Sequence, residues 1–108
     1  MSFRLKIRKV KTIPVLTVFG DITGNNIGKL TAKLDHMIKM PSERIAIDLA
    51  SVSFIDSHGL GVFVFFFRRL QEQRRIMVIL HPSEFISELF SGSNLDRIFT
   101  IVNDEREL

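Results

Sequence analysis

One stretch constrains the fold more than any other: IAIDLASVSFIDSHGLGVFVFFFRRL, residues Ile45–Leu70. It reads as strand, tight polar turn and helix. Ile45–Leu49 is a short β-favouring run, and Val52, Phe54 and Ile55 carry apolar chain onward. Asp56-Ser57-His58-Gly59 then interrupts it with turn and cap formers. From Leu60 the chain is too long and too apolar for a second strand, and Arg68–Gln73 extends it with helix formers. This pattern predicts Ser57 at the helix N-cap, its hydroxyl accepting an early amide of the helix. Gly59 and Gly61 fall in the first turn, where each costs about 0.5–1 kcal/mol relative to Ala. Two readings account for them. Either the helix start packs closely on a strand, or the backbone beside Ser57 is left open to another molecule.

The flanking chain supplies the rest of a sheet. Phe3-Arg4-Leu5-Lys6-Ile7-Arg8 alternates apolar and basic residues, the mark of a half-exposed strand. Lys11-Thr12 is the predicted turn into a second strand, Pro14–Phe19, with Pro14 in first position where its missing N–H is tolerated. The two form a hairpin. Gly20–Asn26 is rich in turn formers, and Asn25 or Asn26 caps the next helix. Ile27, Leu30, Leu34 and Ile38 recur at helical spacing, with Lys29, Lys33, Asp35 and Lys39 on the other face, until Pro41-Ser42 ends the pattern. Ile45–Leu49 is apolar enough to be covered on both faces. The central helix is expected from Ser57 to about Arg74. Ile76–Leu80 is the fourth strand, a short helix starts at Pro82 or Ser83 and runs through Phe90, and Ile98–Val102 is the fifth strand. Asp104–Leu108 reads as a tail free to fray. The order β-β-α-β-α-β-α-β predicts one α/β domain over residues 1–108, with a mixed, mostly parallel sheet and helices packed on it.

Composition narrows the chemistry. The chain lacks Cys, so disulfides and thiolate metal sites are excluded. Its longest apolar run, Leu60–Phe67, is far short of the ~20 residues of a membrane span. No signal-peptide pattern precedes the first strand. A cytoplasmic protein without membrane insertion is expected. The net charge is +3, with basic residues gathered at Arg4, Lys6, Arg8, Lys9 and Lys11 and again at Arg68, Arg69, Arg74 and Arg75. A solvated strand face and cations at the C-terminus of the central helix account for both groups, so no nucleic-acid partner is expected.

Catalytic readings are poor. Ser57 and His58 are adjacent, whereas a nucleophile and its base are normally brought together by the fold. His36, His58 and His81 lack metal-ligand spacing. Gly59-Leu60-Gly61 is too short for a phosphate loop and has no following Lys. Asp48 and Asp56 fit no carboxylate-pair motif. Neither enzymatic activity nor a cofactor is expected. The central helix is apolar nearly all round. Phe63 and Phe67, with Leu60 and Leu70, are expected to face the sheet, leaving Phe65 and Phe66 either under a neighbouring helix or in an exposed patch that docks a partner or a second copy.

IDLASVSFIDSHGLGVFV resembles the signature of the STAS domain family, the fold of bacterial anti-sigma factor antagonists, in which an apolar strand leads to Asp-Ser-x-Gly-Leu-Gly at a helix start. Residues Gly92–Phe99 are similar to the family's segment before its last strand. The resemblance implies that Ser57 is phosphorylated by a partner anti-sigma factor that is itself an ATP-dependent serine kinase. The unphosphorylated chain would bind that partner and free a sigma factor, and a serine phosphatase would reset the switch. It implies a supporting role beside the acceptor for Asp56. The partner-binding face is expected to comprise Asp21, Thr23, Gly24 and Asn25 of one loop, Asp56, His58, Gly59, Leu60 and Gly61 of the turn, and the exposed part of the central helix. A monomer or weak homodimer is expected. Two departures stand out: Thr23 replaces an Asp common in the family's loop, and the sequence stops soon after Val102, where many members have a fuller helix. The alternative reading is a STAS module with a non-sigma output, or a constitutive subunit of a transport complex with Ser57 only a cap.

Overall fold

The computed structural model describes residues 2–108. A hairpin opens the chain: β1 (Arg4–Val10) and β2 (Ile13–Phe19) pair antiparallel from Arg4↔Phe19 to Val10↔Ile13. Lys11 and Thr12 both take positive φ, 52° and 69°, which matches the twist of a two-residue hairpin turn. The second strand begins one residue earlier than expected. Pro14 is therefore its second residue, opposite Lys9.

Three crossovers follow. α1 (Ile27–Met37) links β2 to β3 (Arg44–Ser51), α2 (Ser57–Glu72) links β3 to β4 (Ile76–Leu80), and α3 (Glu84–Gly92) links β4 to β5 (Thr100–Val102). The strands lie in sequence order, β1-β2-β3-β4-β5, and every pair after the hairpin is parallel. The sheet grows in one direction through crossovers of one hand, so the helices gather on one face. There Leu16, Val18, Ile45, Ile47 and Leu49 of the sheet meet Leu30 and Leu34 of α1, Phe63, Phe66 and Leu70 of α2, and Ile86 and Phe90 of α3.

The opposite face has a smaller apolar cluster, Val15, Ala46, Val78 and Leu80, closed by Leu108. The expectation of a fraying tail is corrected here. Asp104 caps a short helical turn, Glu105–Glu107, and Leu108 is only 9% exposed. Glu105 pairs with Arg8, and Lys11 Nζ donates to the carbonyls of Arg106 at 2.7 Å and Leu108 at 3.3 Å. An acidic tail meets a basic strand, and its last side chain covers the apolar cluster. Arg8 also holds Asp48 at 2.9 Å, so Asp48 serves the sheet. β3 is thus buried on both faces as expected, by helices on one and mainly by the tail on the other.

Three further expectations change. The fifth strand is shorter, because Leu95–Arg97 forms a helical turn that leads into Phe99. In α2 it is Phe66 that joins Phe63 and Leu70 in the core, while Phe67 is half-buried and packs on Phe99 at 5.7 Å between ring centroids. Finally, Arg75, expected to complement the dipole of α2, has another partner. Arg75 donates to the carbonyls of Ile38, Met40 and Ser42 at 2.6–2.8 Å, so it closes the end of α1 and the loop beyond it.

Candidate functional site

The site forms where the chain leaves β2 and β3. Two loops meet there, Gly20–Asn26 and Val52–Asp56. They are joined by a parallel bridge between Ile22 and Ile55. The Ile22 amide donates to Phe54 O at 2.9 Å, and the Asp56 amide donates to Ile22 O at 3.0 Å. Ile22 and Ile55 are buried, so this bridge is a firm floor.

Asp56, not Ser57, is the N-cap of α2. Its Oδ1 accepts the Gly59 amide at 2.9 Å. Its Oδ2 accepts the Gly24 amide at 2.9 Å and lies 3.5 Å from His58 Nδ1. One carboxylate thus caps a helix and ties it to the neighbouring loop. Foremost the Gly59 amide, and then those of Gly24 and the His58 ring, hold the Asp56 carboxyl below the usual carboxylate range against the opposing effect of desolvation. The expected cap at Ser57 is therefore corrected. Asp and Ser are comparable caps, and the carboxylate, with two acceptor oxygens, can serve both loops at once.

This correction frees the Ser57 hydroxyl. Ser57 is the first residue of α2 and is exposed, and no hydrogen bond from its hydroxyl is found among the described residues. His58 is also exposed, its ring packed beside Gly24, with a nitrogen toward Asp56. This arrangement does not pair a serine with an imidazole base.

The two glycines of the first turn have different causes. A Cβ on Gly59 would lie 2.7 Å from a methyl of Ile22 and 2.7 Å from a methyl of Ile55. Gly59 lets the helix start settle on the bridge and is itself buried. A Cβ on Gly61 would meet nothing within 4 Å. Gly61 faces outward into a groove of about 250 Å³ between α1 and α2. Ile27, Thr31 and Leu34 form one wall of it, Val62, Phe65 and Phe66 the other. Arg69 and Asp35 join the two helices across it at 2.5 Å. Phe65 is 62% exposed at its edge.

The residues expected to bind a partner come together. Thr23 donates its amide to Asn26 Oδ1 at 3.0 Å, and Asn26 Nδ2 donates to Asp21 O at 2.8 Å. Asn26 occupies the N-cap position of α1 but spends its side chain on holding this loop. Asp21, Gly24 and Asn25 are exposed, Gly24 beside the His58 ring, and Thr23 is half-buried. Gly59 lies beneath the surface, and Leu60 is half-buried against the core. Sequence reading missed Ile22 as the pivot and Ile27, Thr31 and Asp35 as groove walls. Thr31 and Asp35 lie four residues apart on α1, outside the apolar stripe that includes Ile27, and Ile22 is an apolar residue within a polar loop; the sequence carried no other signal for them.

The chain belongs to the STAS domain family, whose model matches residues 4–108. The anti-sigma-B factor antagonist of Listeria monocytogenes is 32% identical over 108 residues, 100% of this chain and 94% of that protein. Among solved structures, an anti-sigma factor antagonist from Mycobacterium paratuberculosis superposes with a TM-score of 0.85 at 17% identity, covering 95% of this chain and 87% of that one. The Bacillus cell fate determinant SpoIIAA in its phosphorylated form superposes with a TM-score of 0.71 at 21% identity, over 98% of this chain and 96% of that one. These structures share the fold. Among the described residues, no helix is long and apolar enough to cross a membrane.

Proposed function

We propose that this chain is an anti-sigma factor antagonist whose grip on its partner is set by phosphorylation of Ser57. One observation carries the reading: the Ser57 hydroxyl stands exposed at the start of α2, with its capping duty taken by Asp56. The similarity to the Listeria antagonist and to the phosphorylated SpoIIAA supports it.

The partner would be an anti-sigma factor that is also an ATP-dependent serine kinase, with a serine phosphatase to reverse the modification. Its docking face would span Asp21, Thr23, Gly24 and Asn25, then Asp56, His58, Leu60 and Gly61 over the buried Gly59, and continue into the groove between α1 and α2. The groove is lined mainly by apolar side chains, so it suits a partner that buries apolar surface there. Phosphate would add about −1.5 to −2 charge at Ser57. Inside the chain, the helix dipole attracts that charge while Asp56 repels it, so the fold changes little. Under a docked partner the same charge would be buried unpaired, at high cost. The chain acts here as a kinase substrate and binding module, without turnover of its own.

Incubation with ATP and the anti-sigma-type kinase of the same organism, followed by intact-mass measurement, should add one phosphate to the parent and none to Ser57→Ala. In a pulldown, Ser57→Ala should hold the kinase and Ser57→Asp should lose it. If both variants hold it as the parent does, the switch is wrong. A mass unchanged by ATP would point to the constitutive subunit instead.

A further inference from the structure

α1 has a second groove on its other side, against β1. Phe3, Leu5 and Ala32 line its floor, and Arg4, Lys29 and Lys33 rim it, with a volume of about 570 Å³. β1 is an outer strand, paired with β2 alone. Its free side offers unpaired backbone donors and acceptors over seven residues. Lys6 and Lys9 are exposed on the same strand. Among the described residues, Arg4, Lys6, Lys9, Lys29 and Lys33 form no ion pair. Asp35, also on α1, is engaged by Arg69 across the other groove, and Asp48 and Glu105 are engaged by Arg8.

We propose that this edge receives an extended acidic segment of another protein, added as a strand beside β1. A strand there presents alternate side chains to opposite faces of the sheet. One set would rest on Phe3, Leu5 and Ala32 and should be apolar. The other would lie beside Arg4 and Lys6 and should be carboxylate. Charge decides against a second copy as the occupant, because β1 against β1 sets Arg4, Lys6 and Lys9 among like charges. It also guards the free edge from self-association while leaving it open to opposite charge. A nucleic acid would satisfy the cations but leave the strand's backbone groups and the apolar floor unmatched. The groove is separated by α1 from the Ser57 turn, so this docking stands independently of the phosphorylation switch.

The test uses the full isotope-labelled chain and a peptide of β1's length alternating glutamate and valine. Amide shifts should concentrate in β1 and in the part of α1 around Lys29–Lys33, leaving Asp56–Gly61 unmoved. Reversing charge in Lys6→Glu with Lys33→Glu should weaken binding about tenfold or more. Circular dichroism of that variant should match the parent. A peptide with lysine in place of glutamate should not bind, and Ser57→Asp should bind like the parent. Shifts centred elsewhere, equal binding by the charge-reversed variant, or an oligothymidylate of equal charge displacing the peptide at equal concentration would each overturn the proposal.

Discussion

The two faces of α2 obey different rules. Toward the sheet, Gly59, Phe63, Phe66 and Leu70 are buried, and each is fixed by the space available. Toward solvent and α1, Ser57, His58, Gly61 and Phe65 are exposed, and of these His58 alone is tied to the fold, by its ring against Gly24 and Asp56. The same helix has a glycine on each face. Beneath it, Gly59 answers to Ile22 and Ile55; outside it, a Cβ on Gly61 would meet nothing within 4 Å among the described residues. Under the proposed function, this open face of α2 is the one that a partner would cover.

This contrast can be broken by mutation. The largest effect is expected from Phe66→Ala, which should lose about 3–5 kcal/mol of stability, while Phe65→Ala should change it by less than about 0.5 kcal/mol. Equal shifts in their urea midpoints would erase the distinction between the faces. Next is Gly59→Ala, which forces a methyl against the bridge and should cost about 1–3 kcal/mol. By contrast, Gly61→Ala should raise stability by about 0.5–1 kcal/mol, since it adds helix propensity and meets no obstacle. Opposite signs for two glycine-to-alanine changes two residues apart would be visible in a pair of thermal melts.

The smallest effect is in acid. The folded state holds the Asp56 carboxyl below its ordinary value, so the folded chain binds fewer protons there than the unfolded chain. The stability it contributes is full above the ordinary carboxylate pKa of about 4 and is lost as pH falls through the lower folded value. Asp104 and Glu105 are shifted the same way, chiefly by hydrogen bonds from Arg106 and Arg8. Acid titrations of the parent and Asp56→Asn should therefore both slope, with the variant's slope shallower. Identical slopes would mean that Asp56 makes no contribution.

Much of the fold was legible because its signals are local. Alternation in Phe3–Arg8, the apolar run Ile76–Leu80 and the polar break at Asp56–Gly59 each name an element from neighbouring residues. The helical phase of α2 was harder. With Phe at 63, 65, 66 and 67, periodicity has little contrast, and Phe66 rather than Phe67 reached the core because the sheet below set the rotation. The cap was ambiguous for a related reason, since Asp56 and Ser57 are both competent. Only the nearby Gly24 amide made the carboxylate's second oxygen useful.

Sequence alone determined the order of elements, their parallel linkage and the place of a serine where strand passes to helix. Tertiary structure decided which side chain caps that helix, which glycine is packed and which is open, and where the tail closes the sheet. Those choices depend on contacts between segments far apart in the chain: Gly24 with Asp56, Ile22 with Gly59, Glu105 with Arg8. Pattern along the chain records each residue's own preferences, but only the folded geometry sets which neighbours compete for the same space and the same hydrogen bond.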